Sequence, residues 1–277
     1  RDYSSVDYVL RKQDYVFHAA ALKHVSTCEK FPEEAVKTNV TGSKNIIEAS
    51  ISNKIKNAIF LSTDKAVEPI NAMGMTKALM EKSVYAASTE NPHTKLNVVR
   101  YGNVLCSRGS VIPLFLTQLK RNRITITEPE MTRFLIKLSD CVSLIDKAIE
   151  INKQGMLLVK KAPAARVGEI ADACIEIAKK NGEAKKKFIG VRLGEKIHES
   201  LLNSEELSLS KSYGDFYVND RGSTYKNLFF EKKGIRNAKK NSINYSSNNT
   251  RQLKKKELVR MIKSALKEVE TDGLYNE

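Results

Sequence analysis

Several residue types are scarce: the 277 residues include four cysteines, four histidines, six prolines and no tryptophan. Cys28, Cys106, Cys141 and Cys174 form no C-x-x-C pair and, with the scattered histidines, show no metal-ligand spacing, so we expect no structural or catalytic metal. Isolated thiols are typical of a reducing compartment, and we expect a cytoplasmic protein. No apolar run approaches the roughly 18 residues that cross a bilayer, and no secretory signal opens the chain. We therefore expect no membrane span.

Acidic residues are also outnumbered, since 47 Lys and Arg face 32 Asp and Glu and the formal net charge is +15. A basic balance can indicate a nucleic-acid partner or an anionic surface. The lysines are spread along the chain, and their densest runs, at 185–187 and 254–256, lack the interleaved aromatic residues of single-strand binders. We expect no nucleic-acid partner, and a basic scaffold that binds acidic polymers stays open as an alternative.

The chain does contain an alternation of short apolar runs and longer helical patterns. It predicts strands at 14–19, 58–62 and 96–101, with helices at 32–52 and 73–87 between them. This order predicts an α/β fold with a Rossmann-like, doubly wound parallel sheet. In such sheets ligands gather at the carboxyl ends of the strands.

The second half of the chain is less regular. Residues 203–249 are polar and poorly periodic, and a terminal amphipathic helix is predicted at 254–269. Three further helices and one strand are predicted, at 111–120, 138–151, 167–180 and 156–160. We expect residues 1–105 to form a partial dinucleotide-binding domain and residues 106–277 mainly a smaller substrate lobe with a helical tail.

One motif expected of such a sheet is absent. A dinucleotide-binding fold opens with a glycine-rich turn, yet neither G-x-G-x-x-G nor G-x-x-G-x-x-G occurs in the sequence. Either the protein does not bind a dinucleotide, or its first βαβ portion, at least ~30 residues, has been lost. The motifs described next favour the second interpretation.

The densest group of chemically active side chains follows the second predicted strand. Asp64 and Lys65 are adjacent titratable residues directly after a buried strand and before a proline-containing loop. A solvated surface ion pair is the ordinary interpretation of such neighbours, but this position favours a functional one. Met73 and Lys77, at the start of the next predicted helix, are four residues apart and therefore share one helical face.

These residues belong to blocks that resemble the extended short-chain dehydrogenase/reductase superfamily, and within it the inverting UDP-N-acetylglucosamine 4,6-dehydratases of bacterial polysaccharide synthesis. The superfamily carries Tyr-x-x-x-Lys on this helix, and here Met73 occupies the tyrosine position while Lys77 is the lysine. The matching blocks cover nearly the whole chain: 18–25, 61–77, 100–104, 107–113, 131–134 and 194–196, with a weaker one at 245–250.

The resemblance implies roles for four side chains in catalysis. Lys65 would remove the C5 proton, Asp64 would protonate the departing 6-hydroxyl, and Thr63 would bind the 4-hydroxyl. Lys77 would bind the nicotinamide ribose of NADP or NAD. Because a thioether at Met73 cannot exchange protons, the group that accepts the 4-hydroxyl proton stays open, with Lys65 as the first candidate.

The resemblance also implies binding residues, each with an ordinary alternative. The cofactor set is Ala19, Ala20, Ala21, Lys23, Asn39, Ser62, Lys77 and Tyr101. The substrate set is Lys65, Asn103, Arg133, Arg192 and Glu195. The alternatives are close packing for the alanines, a helix cap or surface position for Asn39, a turn for Asn103, and salt bridges for the arginines and Glu195. His18 fits a core histidine.

The implied reaction is redox-neutral dehydration of UDP-N-acetylglucosamine, with inversion at C5, to a UDP-4-keto-6-deoxy-hexosamine for capsule or lipopolysaccharide. The implied partners are the UDP-sugar and further copies of the chain in a homo-oligomer. Two alternatives stay open. A UDP-hexose 4-epimerase would use the same fold but relies on the tyrosine that Met73 replaces. A truncated, inactive remnant would lack the glycine-rich turn.

Overall fold

The computed structural model describes residues 1–180, 182–227 and 243–271. The α-helices of these residues are α1 (Tyr3–Leu10), α2 (Val25–Lys30), α3 (Pro32–Ala35), α4 (Gly42–Ser52), α5 (Ala72–Glu90), α6 (Val111–Leu119), α7 (Leu138–Ile151), α8 (Val167–Ile177), α9 (Ser204–Leu209), α10 (Arg221–Tyr225) and α11 (Lys255–Thr271). The strands are β1 (Tyr15–His18), β2 (Asn57–Thr63), β3 (Lys95–Tyr101), β4 (Asn103–Val104), β5 (Arg123–Ile126), β6 (Thr132–Ile136), β7 (Met156–Lys160), β8 (Ala164–Arg166), β9 (Lys185–Phe188), β10 (Ser200–Leu202), β11 (Lys211–Tyr213), β12 (Phe216–Asp220) and β13 (Tyr245–Ser246). None of the described helices is long and apolar enough to cross a membrane.

The main sheet has six strands in the order β1-β2-β3-β7-β12-β11. The first four strands run parallel, and β12 and β11 are antiparallel to their neighbours. Strand β2 is buried on both faces, as its run of Ala58, Ile59, Phe60 and Leu61 predicts for a central parallel strand. The predicted α/β fold with a parallel-dominated sheet is therefore confirmed.

The β11–β12 hairpin lies within the segment that the sequence pattern left without regular structure. Val218 of β12 pairs with Leu158 of β7, so the hairpin extends the sheet after the parallel strands end. All three residues of β11 are exposed, because this strand forms the edge of the sheet. A short polar edge strand has no apolar alternation, which is why periodicity did not predict it.

The helix predicted over 32–52 is present but is not uniform. Residues Val36–Thr41 form a π-helical segment between α3 and α4. Asn39 lies in this segment and is fully buried. A π-helical bulge is common at functional positions because it re-aims the side chains that it carries.

Contacts within the chain group it into two compact units. Unit 1 comprises 1–101, 143–161 and 200–245, and unit 2 comprises 102–142, 162–199 and 246–277. The contiguous division predicted after residue 105 differs from this grouping, because β7 and the β11–β12 hairpin return late in the chain to the sheet of unit 1. The assignment of a cofactor role to one part and a substrate role to the other stays a prediction.

Unit 2 has its own apolar core, formed mainly by α6, α8 and α11. Phe115, Ile170 and Leu258, one from each of these helices, are buried in it. The predicted amphipathic tail helix is confirmed as α11. Its buried stripe includes Ile262 and Ala265, so within the described residues it packs against this core.

Candidate functional site

The carboxyl ends of three parallel strands in unit 1 bring several predicted residues to one edge of the sheet. His18 pairs in register with Phe60, and Thr63 pairs with Tyr101. The segment 19–21 follows β1 directly, and Ala19 and Ala20 are exposed. Lys23, a little further along, is exposed too, whereas Tyr101 is half-buried. This edge is where an open α/β sheet binds its ligands.

The turn after β2 places Asp64 and Lys65. Residues Asp64–Ala66 form a short 3-10 helix whose first turn is capped by Thr63, the side chain of which accepts from the backbone amide of Lys65. The Asp64 carboxylate is fully buried, and its Oδ1 accepts from Thr63 Oγ1 at 2.8 Å and from Lys65 Nζ at 3.0 Å. Lys65 itself retains 20% of its side-chain exposure. The pair is therefore not the solvated surface pair of the ordinary interpretation.

The second oxygen of Asp64, Oδ2, is buried and has no hydrogen-bond partner among the described residues. Buried polar atoms in folded proteins are nearly always paired, so an unpaired one needs an explanation, such as a catalytic role or a bound water or ion. Asp64 thus accepts two hydrogen bonds on one oxygen and keeps the other oxygen unused.

Helix α5 presents the Met73–Lys77 face. Its first turn is capped by Asn71, whose Oδ1 accepts from Gly74 N at 2.8 Å. Met73 is buried in a small apolar cluster with Cys28 and Ala35, so the residue at the tyrosine position supplies packing.

Lys77 is 5% exposed, and its Nζ donates to the thioether sulfur of Met80 at 3.1 Å. Burial lowers the pKa of Lys77 to about 8, and the charge of Glu81 opposes that change. A lysine whose pKa lies this close to neutrality can carry or release a proton at physiological pH.

His18 is a core histidine, as its ordinary interpretation predicts. Its Nε2 lies 2.8 Å from Ser43 Oγ, and its ring packs edge-on against Phe60. Burial lowers the pKa of His18 to about 4, with the Lys77 charge as a second cause. The imidazole is therefore neutral at physiological pH.

Ser62 and Asn39, both predicted cofactor contacts, make structural hydrogen bonds. Ser62 Oγ donates to Glu81 Oε1 at 2.5 Å inside the protein. Asn39 Nδ2 donates to Leu22 O and to Thr76 Oγ1, and its Oδ1 accepts from Leu22 N. Asn39 thus fixes the loop after β1 to α5, and it is neither a surface residue nor a helix cap. Contacts of Ser62 and Asn39 with a cofactor stay predictions.

The four remaining predicted substrate residues line a cavity of about 270 Å³ in unit 2. They are Asn103, Arg133, Arg192 and Glu195. Asn103 Oδ1 and the hydroxyl of a further lining residue, Ser110, are buried without a hydrogen-bond partner among the described residues. Two guanidinium groups and two unused polar atoms suit a ligand with phosphates and hydrogen-bonding groups.

Two carbonyl oxygens hold Arg133 in this cavity: its Nη1 donates to Thr132 O at 2.8 Å and to Ile197 O at 3.1 Å. Arg192 is exposed and begins a tight turn, in which Glu195 N donates to Arg192 O. The Glu195 carboxylate in turn accepts from Arg192 N at 3.4 Å. Glu195 therefore shapes the loop that carries Arg192, which is a structural role beside the predicted one.

Sequence reasoning missed two features of these sites. Ser110 lies inside the matched block 107–113 but has no distinctive spacing of its own. Glu81 forms a buried ion pair with Arg100 (Nη2–Oε2 2.5 Å) and follows Lys77 by four residues on α5. That i, i+4 spacing of Lys and Glu was a usable signal, because such residues share a helical face.

Comparison with known proteins gives the family. A family model described as "Polysaccharide biosynthesis protein" matches residues 1–221. Proteins named UDP-glucose 4-epimerase from Rickettsia bellii and Rickettsia canadensis are each 46% identical over 270 residues, which is 95% of this chain and 77% of each relative.

Solved structures of other proteins have a similar fold. Pen from Bacillus thuringiensis superposes with a TM-score of 0.84 and 34% identity, over 95% of this chain and 79% of that one. DesIV from Streptomyces venezuelae, a dTDP-glucose 4,6-dehydratase, superposes with a TM-score of 0.66 and 15% identity, over 98% of this chain and 78% of that one. At that identity the likeness concerns the fold alone. The chain therefore belongs to the polysaccharide biosynthesis protein family and has the extended short-chain dehydrogenase/reductase fold.

Proposed function

We propose that the protein is an NAD(P)-dependent 4,6-dehydratase of UDP-N-acetylglucosamine that inverts C5. The observation that carries the proposal is the Asp64–Lys65 pair at the carboxyl end of β2, in which the buried Asp64 carboxylate has an unused oxygen. Elimination of water needs a base and an acid side by side, and this pair supplies both. Hydride transfer at C4 alone needs no such pair.

The residues present fit the nicotinamide end of a dinucleotide. Lys77 is a buried cation that donates to a thioether, and a ribose hydroxyl would be a better acceptor for it. The small, exposed side chains of Ala19 and Ala20 leave room for close approach. NAD(P)+, when bound, supplies a reversible hydride carrier that accepts from sugar C4 and donates to C6. Solved relatives with NAD, among them MoeE5 with UDP-glucuronic acid, support this class of cofactor.

The contact between Lys65 and Asp64 supports the proton movements that we propose. Lys65 first loses its own proton to solvent, and its neutral amine accepts the 4-hydroxyl proton while Thr63 holds that oxygen. Lys65 then passes this proton to Asp64 across their 3.0 Å contact. Neutral Lys65 then removes the C5 proton, which the adjacent C4 ketone has acidified. The C5–H electron pair forms the C5–C6 double bond, the C6–O bond breaks, and Asp64 protonates the oxygen that leaves as water. Solvent then protonates C5 from the opposite face as the hydride returns to C6, which inverts C5, and Lys65 releases the original C5 proton to solvent.

A UDP-hexose 4-epimerase is the second candidate, and the names of similar proteins favour it. The Rickettsia proteins at 46% identity carry that name, and a solved UDP-glucose 4-epimerase from Thermotoga maritima, with UDP-glucose, shares the fold at a TM-score of 0.62. In that reaction Lys65 would exchange only the 4-hydroxyl proton, and Asp64 would have no leaving group to protonate. The two reactions therefore differ in their products.

Mass spectrometry together with proton NMR of the product decides between these candidates. The purified protein with NAD+ or NADP+ is incubated with UDP-N-acetylglucosamine and, separately, with UDP-glucose, in water and in deuterium oxide. A dehydratase product has lost one water and carries solvent deuterium at C5. An epimerase product has unchanged mass and a new configuration at C4.

The same assay tests the assigned base. Lys65→Ala is expected to lower kcat by roughly 10²-fold or more, because a positioned acid or base contributes about that factor. Lys56→Ala is the matched control: this lysine is exposed and pairs with Asp14 at the surface, and its loss should leave the rate unchanged. A Lys65→Ala protein with full dehydratase activity would contradict the proposed roles.

A further inference from the structure

A buried ionic network lies behind the candidate site in unit 1. Arg100, 2% exposed, is held by two carboxylates: Glu81 accepts from its Nε at 3.0 Å and from its Nη2 at 2.5 Å, and Glu206 accepts from its Nη1 at 2.8 Å and its Nη2 at 3.1 Å. The network joins β3, α5 and α9. A second guanidinium, that of Arg221, lies close enough to help lower the pKa of Glu206.

The two carboxylates differ in what else they contact. Glu206 also closes the capping box of α9, where it accepts from the backbone amide of Asn203 at 3.1 Å. Glu81 accepts from Ser62 Oγ at 2.5 Å. Ser62 is the residue before Thr63, so Glu81 is linked to the strand end that carries Thr63, Asp64 and Lys65.

Glu81 also lies one helical turn after Lys77 on the same face of α5, and both side chains are buried. The charged or titratable groups around Lys77 are His18 from β1, the Asp64–Lys65 turn on which the start of α5 packs, and Glu81 with Arg100 and Glu206 behind it. Burial disfavours the charged form of Lys77, and Glu81 favours it.

We propose that Glu81 is a positioning residue that fixes the Thr63–Lys65 turn through the Ser62 hydroxyl and keeps the Lys77 ammonium charged. A network that served stability alone would require neither the hydroxyl contact nor the proximity of Lys77. Buried ion pairs add little net stability compared with apolar packing, which is a further reason to look for another role. The inference uses the proposed function only in its statement about turnover, since the charge of Lys77 can be measured without substrate.

The first test is an NMR titration of Lys77 in the protein without ligand. Carbon-13 at the lysine Cε reports protonation of Nζ, and Lys77→Arg identifies the signal by removing it. Glu81→Gln keeps the shape of the side chain but removes the charge, and it is expected to lower the Lys77 midpoint by about 1 pH unit. Glu206→Gln is the matched control: it removes the same charge from the same network without touching Ser62, and its shift should be clearly smaller. Equal shifts in both variants, or none in either, overturn the electrostatic part.

The second test separates positioning from folding. Ser62→Ala leaves every charge of the network in place and removes only the contact with Glu81. It is expected to lower kcat about tenfold with little change in KM, since small displacements of catalytic groups have effects of this order or larger. The Lys77 titration should stay as in the wild type. Ser62→Ala tests the positioning role even if Glu81→Gln fails to fold. An unchanged kcat in a folded Ser62→Ala protein overturns the positioning part.

Product analysis keeps this inference separate from the proposed function. If the protein proves to be an epimerase, the titration of Lys77 in Glu81→Gln still supports or contradicts the role of Glu81. If the protein is a dehydratase but Glu81→Gln and Glu206→Gln shift the Lys77 midpoint equally, the electrostatic part of the inference fails while the function stands.

Discussion

His18 links the stability of the protein to pH through burial. The pKa of His18 is about 4 in the folded protein, against an ordinary value of 6.5. Between these values the unfolded chain binds a proton that the folded protein does not, so unfolding is favoured as the pH falls from about 6.5 towards 4. The full difference corresponds to roughly 3 kcal/mol of unfolding free energy.

We therefore expect His18→Gln to reduce the loss of stability on the acid side. The glutamine side chain can keep a hydrogen bond to Ser43, which lies 2.8 Å from the imidazole in the wild type, and it does not titrate. Urea unfolding at about pH 7.5 and about pH 4.5, on either side of the ordinary histidine pKa, gives the measurement. The difference in unfolding free energy between the two pH values should be about 2–3 kcal/mol smaller in the variant. Equal differences in both proteins would show that other groups control acid stability.

At the scale of elements, the start of α5 packs so closely on the turn after β2 that only glycine fits at position 74. A Cβ there would lie 2.2 Å from the carbonyl oxygen of Lys65 and 3.1 Å from Pro69 Cβ. The obstacle is backbone, which cannot rotate away, so an added methyl must push the helix and the turn apart. This contact holds Asp64 and Lys65 against the helix that carries Lys77.

Gly74→Ala is expected to lower the unfolding free energy by about 1–3 kcal/mol, as overpacking in a close contact does. It should also lower kcat, because the turn that carries Asp64 and Lys65 moves. Gly42→Ala in α4 is the control, because a Cβ there meets only Lys37 O at 3.6 Å, an ordinary contact. That variant should be as stable as the wild type or more so, since alanine is the better helix former. Chemical denaturation of both variants measures the contrast, and a Gly74→Ala protein with wild-type stability would disprove the close contact.

Helices and strands could be predicted from the sequence where their own residues carry an apolar run or a helical period. Strand β2 is a run of apolar residues, and α7 has a helical period, so their positions could be predicted within a few residues. The β11–β12 hairpin could not, because Lys211 and Tyr213 are exposed at a sheet edge and Val218 is buried by residues far away in the sequence, among them Leu144 of α7. What sets the hairpin is a partner some sixty residues earlier in the chain, at Leu158.

In the candidate site, too, local patterns could be predicted, whereas contacts with distant parts of the chain could not. Asp64 and Lys65 could be predicted because they are adjacent and follow a strand. Ser62 could be placed at the strand end but not assigned its partner, since Glu81 reaches it only after α5 folds onto β2. Asn39 had a surface interpretation because no local pattern reveals that its amide is buried against Leu22 and Thr76.

At the scale of the whole molecule, the net charge of +15 attracts any anion, so a nucleotide contact has to be separated from general attraction. The unit 2 cavity offers a specific contact, because Arg192 lines it beside Asn103 and Ser110, each with an unused buried polar atom. A ligand that binds only the folded protein stabilises it by about 2.7 kcal/mol at one hundred times its dissociation constant. UDP is therefore expected to raise the melting temperature, and uridine, which lacks the phosphates, should raise it less.

Two arginine variants distinguish the cavity from the overall charge. Arg192→Gln and Arg121→Gln each remove one positive charge from unit 2, but Arg121 is exposed and does not line the cavity. At the same ionic strength, the melting shift with UDP should be much smaller in Arg192→Gln and unchanged in Arg121→Gln, because a guanidinium–phosphate contact is local whereas general attraction depends on net charge. Equal shifts in the two variants would mean that UDP binds by net charge or elsewhere, and the assignment of the unit 2 cavity to the nucleotide would then be wrong.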